Sequence, residues 1–220
     1  MKKRTLPIPL ILLIPILLLV MVIVAGIYRF SLSDQEILGQ HYQPTVNVDP
    51  IVEQLFSIQV SQPLTIQVPQ SDVFAFVDHL DVERGIASAQ YSAEAERGEV
   101  LIDTSTLSLI SQPAHQAPVF AGILMVSNQG SGVFYYLATF RYDAKRSRMI
   151  SVDSQWLGDR IVVENVQYKE KQLDVDLLER TREQSMAQAP TISQKRRFLV
   201  DSEYRLIAPS LRGESTKSYP

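Results

Sequence analysis

The sequence predicts a mainly β protein, an antiparallel meander or small sandwich-like domain preceded by a single N-terminal transmembrane helix. Two observations support this fold class. An uncharged apolar run extends from Leu6 to Ile27, and from Ile51 onward short apolar segments alternate with turn residues, which is typical of a strand-rich domain. We expect five parts: a cytoplasmic N-terminus (1–5), a transmembrane anchor (6–28), a stalk (29–50), an extracytoplasmic β-rich domain (51–208) and a flexible tail (209–220).

The apolar run has the length of a membrane-spanning helix. At a rise of about 1.5 Å per residue it would extend about 33 Å, and the hydrocarbon core of a bilayer is about 30 Å thick. Three basic residues precede the run and only Arg29 closely follows it, which orients the N-terminus toward the cytoplasm. A cleaved signal peptide is the alternative, but its apolar region normally has only about 7–15 residues. The sequence therefore favours an anchor retained in a bacterial inner membrane, with a periplasmic or extracellular C-terminal domain.

Charge and cysteine content exclude several function classes. From Arg29 onward the chain carries 18 basic and 24 acidic residues, a net charge of −6. Affinity for nucleic acid comes largely from basic residues that displace counterions, so we expect no nucleic-acid partner. The chain has no cysteine, which excludes disulfides, thiolate metal sites and a cysteine nucleophile.

Period-two alternation and apolar runs predict the strands of the domain. The clearest pair is a hairpin whose strands flank the turn Gly130-Ser131-Gly132. The segment Ser71–Leu80 fits a helical stripe and a strand equally well. Strands are predicted at Leu55–Val60, Leu64–Val68, Glu99–Ile102, Leu107–Ile110, Val119–Val126, Val133–Tyr142, Met149–Trp156, Ile161–Tyr168, Leu173–Leu178, Arg196–Val200 and Tyr204–Ile207.

Several motifs in sequence resemble small exported bacterial proteins of unknown function. The similarity covers about Val119–Ile207. It is carried by an apolar strand, a Gly-Ser-Gly turn and an aromatic strand over Pro118–Phe140, then Leu-Gly-Asp-Arg from Leu157 and a hairpin over Val166–Val175. The resemblance implies a secreted or anchored β-rich domain and brings no established activity.

The chain departs from that pattern in two places. Members of the group often carry an acidic loop that looks like a calcium loop, whereas Ser111–Ala117 has no carboxylate, and hard cations need clustered oxygens. They also tend to have paired cysteines before the penultimate strand, whereas Ser185–Thr191 has none. Calcium binding in the first loop and a disulfide in the second are therefore not expected.

Two clusters of charged residues are the candidate binding sites. Asp78, His79 and Asp81 could hold a general base or a metal, although a solvated turn that ends an amphipathic segment is favoured. Asp159 and Arg160 could clamp an anionic ligand, although an ion-paired turn is favoured. The motifs HExxH, GxSxG and the phosphate-binding loop are absent, so we predict no catalytic residue, no metal and no cofactor.

Two further features have structural and functional interpretations. Trp156, the single tryptophan, is predicted to pack in the core or at its rim rather than to serve as a stacking platform. The basic run Lys195–Arg197 could contact anionic lipid or an acidic partner, but a solvated strand edge that discourages strand pairing is favoured.

Function is predicted only as ranked hypotheses. The first is a non-enzymatic binding or assembly module of the bacterial envelope, held to the membrane through residues 6–28 and contacting an envelope protein. The alternatives are an envelope hydrolase, which would use the two charged clusters as its site, and a ligand sensor.

Overall fold

The computed structural model describes residues 10–31, 48–93, 96–112, 117–181, 183–185 and 187–208, with side chains in the first range from residue 14 to residue 26. The chain divides into two units, Met1–Val46 and Asn47–Pro220. The predicted N-terminus (1–5), most of the stalk (29–50) and the tail (209–220) lie outside the described residues.

The first unit contains helix α1, Leu10–Ser31, with Pro15 in its interior. Its large apolar side chains between Ile14 and Val24 are 46–70% exposed. In the part of the chain that the structure describes, no helix is sufficiently long and apolar to cross a membrane.

The second unit contains one short helix and twelve strands among its described residues. The helix is α2, Pro50–Phe56. The strands are β1 (Thr65–Gln67), β2 (Phe74–Phe76), β3 (His79–Asp81), β4 (Ile86–Ala93), β5 (Glu96–Ser111), β6 (Val119–Asn128), β7 (Val133–Asp143), β8 (Arg148–Asp159), β9 (Val162–Lys169), β10 (Gln172–Glu179), β11 (Ile192–Val200) and β12 (Leu206–Ile207).

These strands form an eight-stranded sheet in the order β2-β1-β8-β7-β6-β5-β4-β3 and a four-stranded sheet in the order β12-β11-β10-β9. Strands β3 to β8 follow one another antiparallel, as do β9 to β12. Strand β1 is the exception, because it lies parallel to β8 with Thr65 beside Ile150. The predicted mainly β, antiparallel meander is confirmed.

The eight-stranded sheet rolls back on itself. Phe74–Phe76 pairs with β1 at one margin of the sheet, and His79–Asp81 pairs with β4 at the other. Only Val77 and Asp78 separate β2 from β3 along the chain. The Asp78 amide donates a hydrogen bond to the Ser88 carbonyl at 3.1 Å. One stretch of chain therefore forms both margins, which requires the sheet to be strongly curled.

Two apolar clusters occupy opposite faces of the rolled sheet. The first contains α2, with Val52 and Phe56, and side chains from β1, β2 and β4 to β8. The second lies between the rolled sheet and the four-stranded sheet. Along β6, Leu124 belongs to the first cluster and Ile123 to the second. Both faces of this strand are buried, which explains its nearly continuous apolar sequence.

The strand that the sequence predicts at Leu55–Val60 is wrong, because Leu55 and Phe56 end helix α2 and residues 57–60 form no strand. Asp49 caps the helix, since its carboxylate accepts hydrogen bonds from the amides of Ile51 at 3.0 Å and Val52 at 2.9 Å. Pro50 follows at the first helical position, where its missing N–H costs little. An Asp-Pro start thus overrides the period-two pattern.

Candidate functional site

The candidate site begins at an irregularity in β8. Tyr136 pairs with Trp156, and Tyr135 pairs with Gly158, so Leu157 is an extra residue in a β-bulge. Leu157 is fully buried. A Cβ added to Gly158 would lie only 2.6 Å from Ile161 Cγ2, so the close approach of the next segment requires glycine here.

Asp159 and Arg160 form hydrogen bonds that connect the end of β8 to the Gly-Ser-Gly turn and the start of β7. The Asp159 carboxylate accepts a hydrogen bond from the Val133 amide at 3.1 Å. Arg160 donates from Nε to the Ser131 carbonyl at 2.9 Å and from Nη2 to Ser131 Oγ at 3.1 Å. Arg160 Nε also lies 3.7 Å from Asp159 Oδ1. These contacts give the pair a structural role in the turn.

A cleft of about 360 Å³ opens beside this turn, and we call it the inter-sheet cleft. Residues from the end of β8 and the segment after it line one side, and residues from β10, β11 and the loop after β10 line the other. The lining residues are Trp156, Gly158, Asp159, Ile161, Glu179, Arg180, Thr181, Gln184 and Arg196. Of the predicted candidates, Asp159 belongs to this lining.

Trp156 is 48% exposed at the cleft. The Arg196 guanidinium carbon lies 5.7 Å from the centroid of the indole ring, within the range of a cation–π interaction. Arg196 Nη2 also donates to the Glu179 carboxylate. The ring is therefore held by a charged side chain from the other sheet, with about half of its surface open to a ligand.

Arg180 and Gln184 order the loop that forms one wall of the cleft. Arg180 donates from Nε to the Gln188 carbonyl at 2.8 Å and from Nη1 to the Arg160 carbonyl at 2.5 Å. Gln184 Oε1 accepts a hydrogen bond from the Thr181 amide at 3.2 Å. The wall is thus fixed by side-chain contacts to backbone groups.

The other predicted cluster lies outside this cleft. Asp81 caps a turn, because its carboxylate accepts a hydrogen bond from the Arg84 amide at 3.0 Å and lies 3.6 Å from Arg84 Nε. His79 is exposed on β3, opposite Ser88. Over the described residues, no group of three histidine or acidic side chains is arranged to hold a metal ion.

The basic run of β11 is paired with acidic residues of the neighbouring strand. Lys195 contacts Asp176, and Arg197 contacts Asp174, each at 3.0 Å. The hydrogen bond from Arg197 lowers the pKa of Asp174 below its usual value. Lys195 and Arg197 are each 53% exposed, and β12 pairs only with Leu199 and Val200, so the run is solvated as well as ion-paired. That it discourages pairing with other strands stays a prediction.

The sequence reasoning missed Glu179, Arg180 and Gln184. In the sequence, these residues are visible only as a charged pair, Glu179-Arg180, that follows Leu177-Leu178 at the end of β10 and leads into a polar loop. That signal alone does not identify a site, since Trp156 and the basic run approach these residues only when the two sheets pack together. The cleft offers an indole surface, guanidinium groups and the apolar side chain of Ile161, which are groups of a binding site.

Comparison of the chain with known protein families, characterised proteins and solved structures gives no match.

Proposed function

We propose that this chain is a membrane-tethered binding module of the bacterial envelope, whose β-rich domain captures a partner through the inter-sheet cleft. The tether is residues 6–28, with the N-terminus in the cytoplasm and the domain on the opposite side of the inner membrane. The resemblance to small exported bacterial proteins agrees with this assignment.

The uncharged run from Leu6 to Ile27 supports the tether. Its length suits the hydrocarbon core, and the basic residues before it favour the proposed orientation. Large apolar side chains between Ile14 and Val24 are 46–70% exposed along α1. Such an extensive apolar surface needs an apolar environment or a partner to cover it.

The exposed indole of Trp156 is the observation that supports binding. An aromatic side chain beside paired charges, at a cleft between two sheets, suits recognition of a ligand. The ion pairs that hold Arg160 and Arg196 stabilise the cleft before a ligand arrives, so less ordering is needed on binding. We favour a binding module over a hydrolase because Asp159 and Arg160 are occupied by contacts in their own turn.

Reporter fusions test the tether. Alkaline phosphatase fused after Pro220 should be active in intact cells and should sediment with the membrane fraction. A cytoplasm-only reporter at the same position should be silent. Phosphatase activity in the soluble periplasmic fraction would contradict a retained anchor, and activity of the cytoplasmic reporter alone would contradict the orientation.

Photocrosslinking in intact cells tests the binding module. A photoreactive residue in place of Thr181, which is exposed in the wall of the cleft, should give one reproducible adduct with an envelope component. The same residue in place of Leu109, which is 48% exposed on β5, is the control and should give none. Equal labelling from both positions would contradict a role for the cleft.

A further inference from the structure

We propose that the inter-sheet cleft takes a small carboxylate-bearing ligand with an apolar or aromatic body, and that Arg180 receives the carboxylate. This inference rests on the proposed binding function and names the chemistry of the ligand. It follows from the lack of an ion pair at Arg180 among the described residues, from the hydrogen bonds of Arg180 and from the position of Trp156.

Two guanidinium groups line the cleft, those of Arg180 and Arg196, and they differ in their ion pairing. Arg160 lies beside Asp159, and Arg196 is bonded to Glu179. Among the residues that the structure describes, no carboxylate lies within 4.0 Å of the Arg180 guanidinium. A single guanidinium beside two carboxylates, Asp159 and Glu179, suits one carboxylate of a ligand better than a phosphate group, which carries up to two negative charges.

Two hydrogen bonds fix the orientation of the Arg180 guanidinium, and its third nitrogen can still donate to a ligand. Its Nε and Nη1 bond the carbonyls of Gln188 and Arg160, and its Nη2 has no hydrogen-bond partner among the described residues. A guanidinium with two neutral acceptors and a remaining donor can form a charge-assisted hydrogen bond with a carboxylate. Because the side chain is partly buried, that bond would be screened less than one at the open surface.

The rest of the cleft suits an apolar body attached to the carboxylate. Trp156 presents an exposed aromatic surface, and Ile161 contributes a buried aliphatic side chain. The volume of about 360 Å³ lies within the range of roughly 300–1,000 Å³ that is usual for small-molecule sites. A planar or aromatic group could therefore stack on the indole while its carboxylate reaches Arg180.

The single tryptophan of the chain reports directly on this site. Full-length protein in detergent micelles is titrated with N-acetyl-L-phenylalanine, and the fluorescence of Trp156 is followed. We expect a saturable change with the acid and about tenfold weaker binding, or weaker still, with the corresponding amide, which has the same body without the charge. An equal response to acid and amide would overturn the proposal. So would displacement of the acid by inorganic phosphate at equal concentration.

Variants then locate the carboxylate. Arg180→Gln should weaken binding of the acid about tenfold or more, and should make the acid and the amide bind alike. Arg180→Lys, which keeps the charge, should retain part of the preference for the acid. Arg197→Gln is the matched control, because Arg197 pairs with Asp174 on the other face of β11, and it should bind as the unmodified chain does. Unchanged binding in Arg180→Gln would overturn the proposal, and the acid–amide comparison tests it even where a variant fails to fold.

This inference and the proposed function can fail separately. Absence of any preference for the acid, together with a specific adduct from position 181 in cells, would overturn the carboxylate assignment and leave the binding module in place. Preference for the acid without a cellular adduct would support the carboxylate site and contradict capture of an envelope component.

Discussion

The two sheets bury their strands in different ways. In the rolled sheet, consecutive residues of β6 and β7 are buried on opposite faces, as with Ile123 and Leu124. In the four-stranded sheet, β10 alternates strictly, with Leu177 buried and Asp176 on the outer face. The first pattern gives a strand that tolerates little change on either side. The alternating pattern of β10 leaves the outer face of the smaller sheet free to carry charges. The candidate site lies where the two sheets meet.

Loss of a large core side chain of the rolled sheet should have the largest effect. Phe140 is fully buried, and its ring centroid lies 5.9 Å from that of Phe56 in α2. Phe140→Ala should lower the free energy of unfolding by about 3–5 kcal/mol, measured by urea denaturation. Phe74→Ala, at a position 55% exposed on β2, is the control and should cost less than about 1 kcal/mol. Similar losses from the two substitutions would contradict the assignment of the core.

Gly158 tests the junction between the sheets. In Gly158→Ala the new methyl group would meet Ile161 Cγ2 at 2.6 Å, so the free energy of unfolding should fall by about 1–3 kcal/mol. Trp156, two residues earlier, should change its fluorescence in the folded state. Gly130→Ala, where the nearest atom is Asn128 Oδ1 at 3.0 Å, should be milder. An unaltered Gly158→Ala protein would show that the bulge can relax at no cost.

Asp153 tests how the smaller sheet is held at its β12 end. Its carboxylate accepts hydrogen bonds from the Leu206 amide at 2.7 Å and the Ser154 amide at 2.8 Å. Asp153→Ala should lower the free energy of unfolding by about 1–1.5 kcal/mol, and hydrogen exchange at Leu206 should accelerate. Glu203→Gln changes only an exposed pair with Arg205 and should leave this exchange rate unaltered. Continued protection of Leu206 without Asp153 would mean that strand pairing, the hydrogen bond from Thr139 to the Tyr204 carbonyl and the burial of Leu206 are enough to hold β12.

The charged face of the smaller sheet should contribute least. Because Arg197 lowers the pKa of Asp174, their pair stabilises the fold above the unfolded-state pKa of about 3.9. That contribution is lost as the pH falls through the lower, folded-state pKa. Arg197→Gln should therefore cost less than about 1 kcal/mol at pH 7, since half of the Arg197 side chain is exposed and solvent screens the pair, and the difference should vanish in strong acid. A difference that persists when Asp174 is protonated would point to lost packing of the arginine stem.

The difference in burial between the two sheets also explains which strands could be predicted from the sequence. The β6–β7 hairpin is evident from two apolar runs around a glycine-rich turn, and β10 from its alternation. The sequence does not predict strand β4, because two of its buried positions are the small residues Ala87 and Ala89 and only Tyr91 is large, which gives little periodic signal. The cleft was beyond prediction, since Trp156 and Arg196 are distant in sequence and meet only through the packing of one sheet on the other.

The rolled sheet also constrains the order in which the chain can fold. Strand β1 pairs with β8 through Thr65 and Ile150, so the start of the domain has no partner on that side until most of the domain has been synthesised. Contacts between such distant positions form slowly, because a long loop must be ordered before they contribute. We expect the β3–β8 meander to assemble first and the β1–β8 pairing to close it last. Chains truncated before β8 would leave β1 unpaired on that side and prone to associate with other strands.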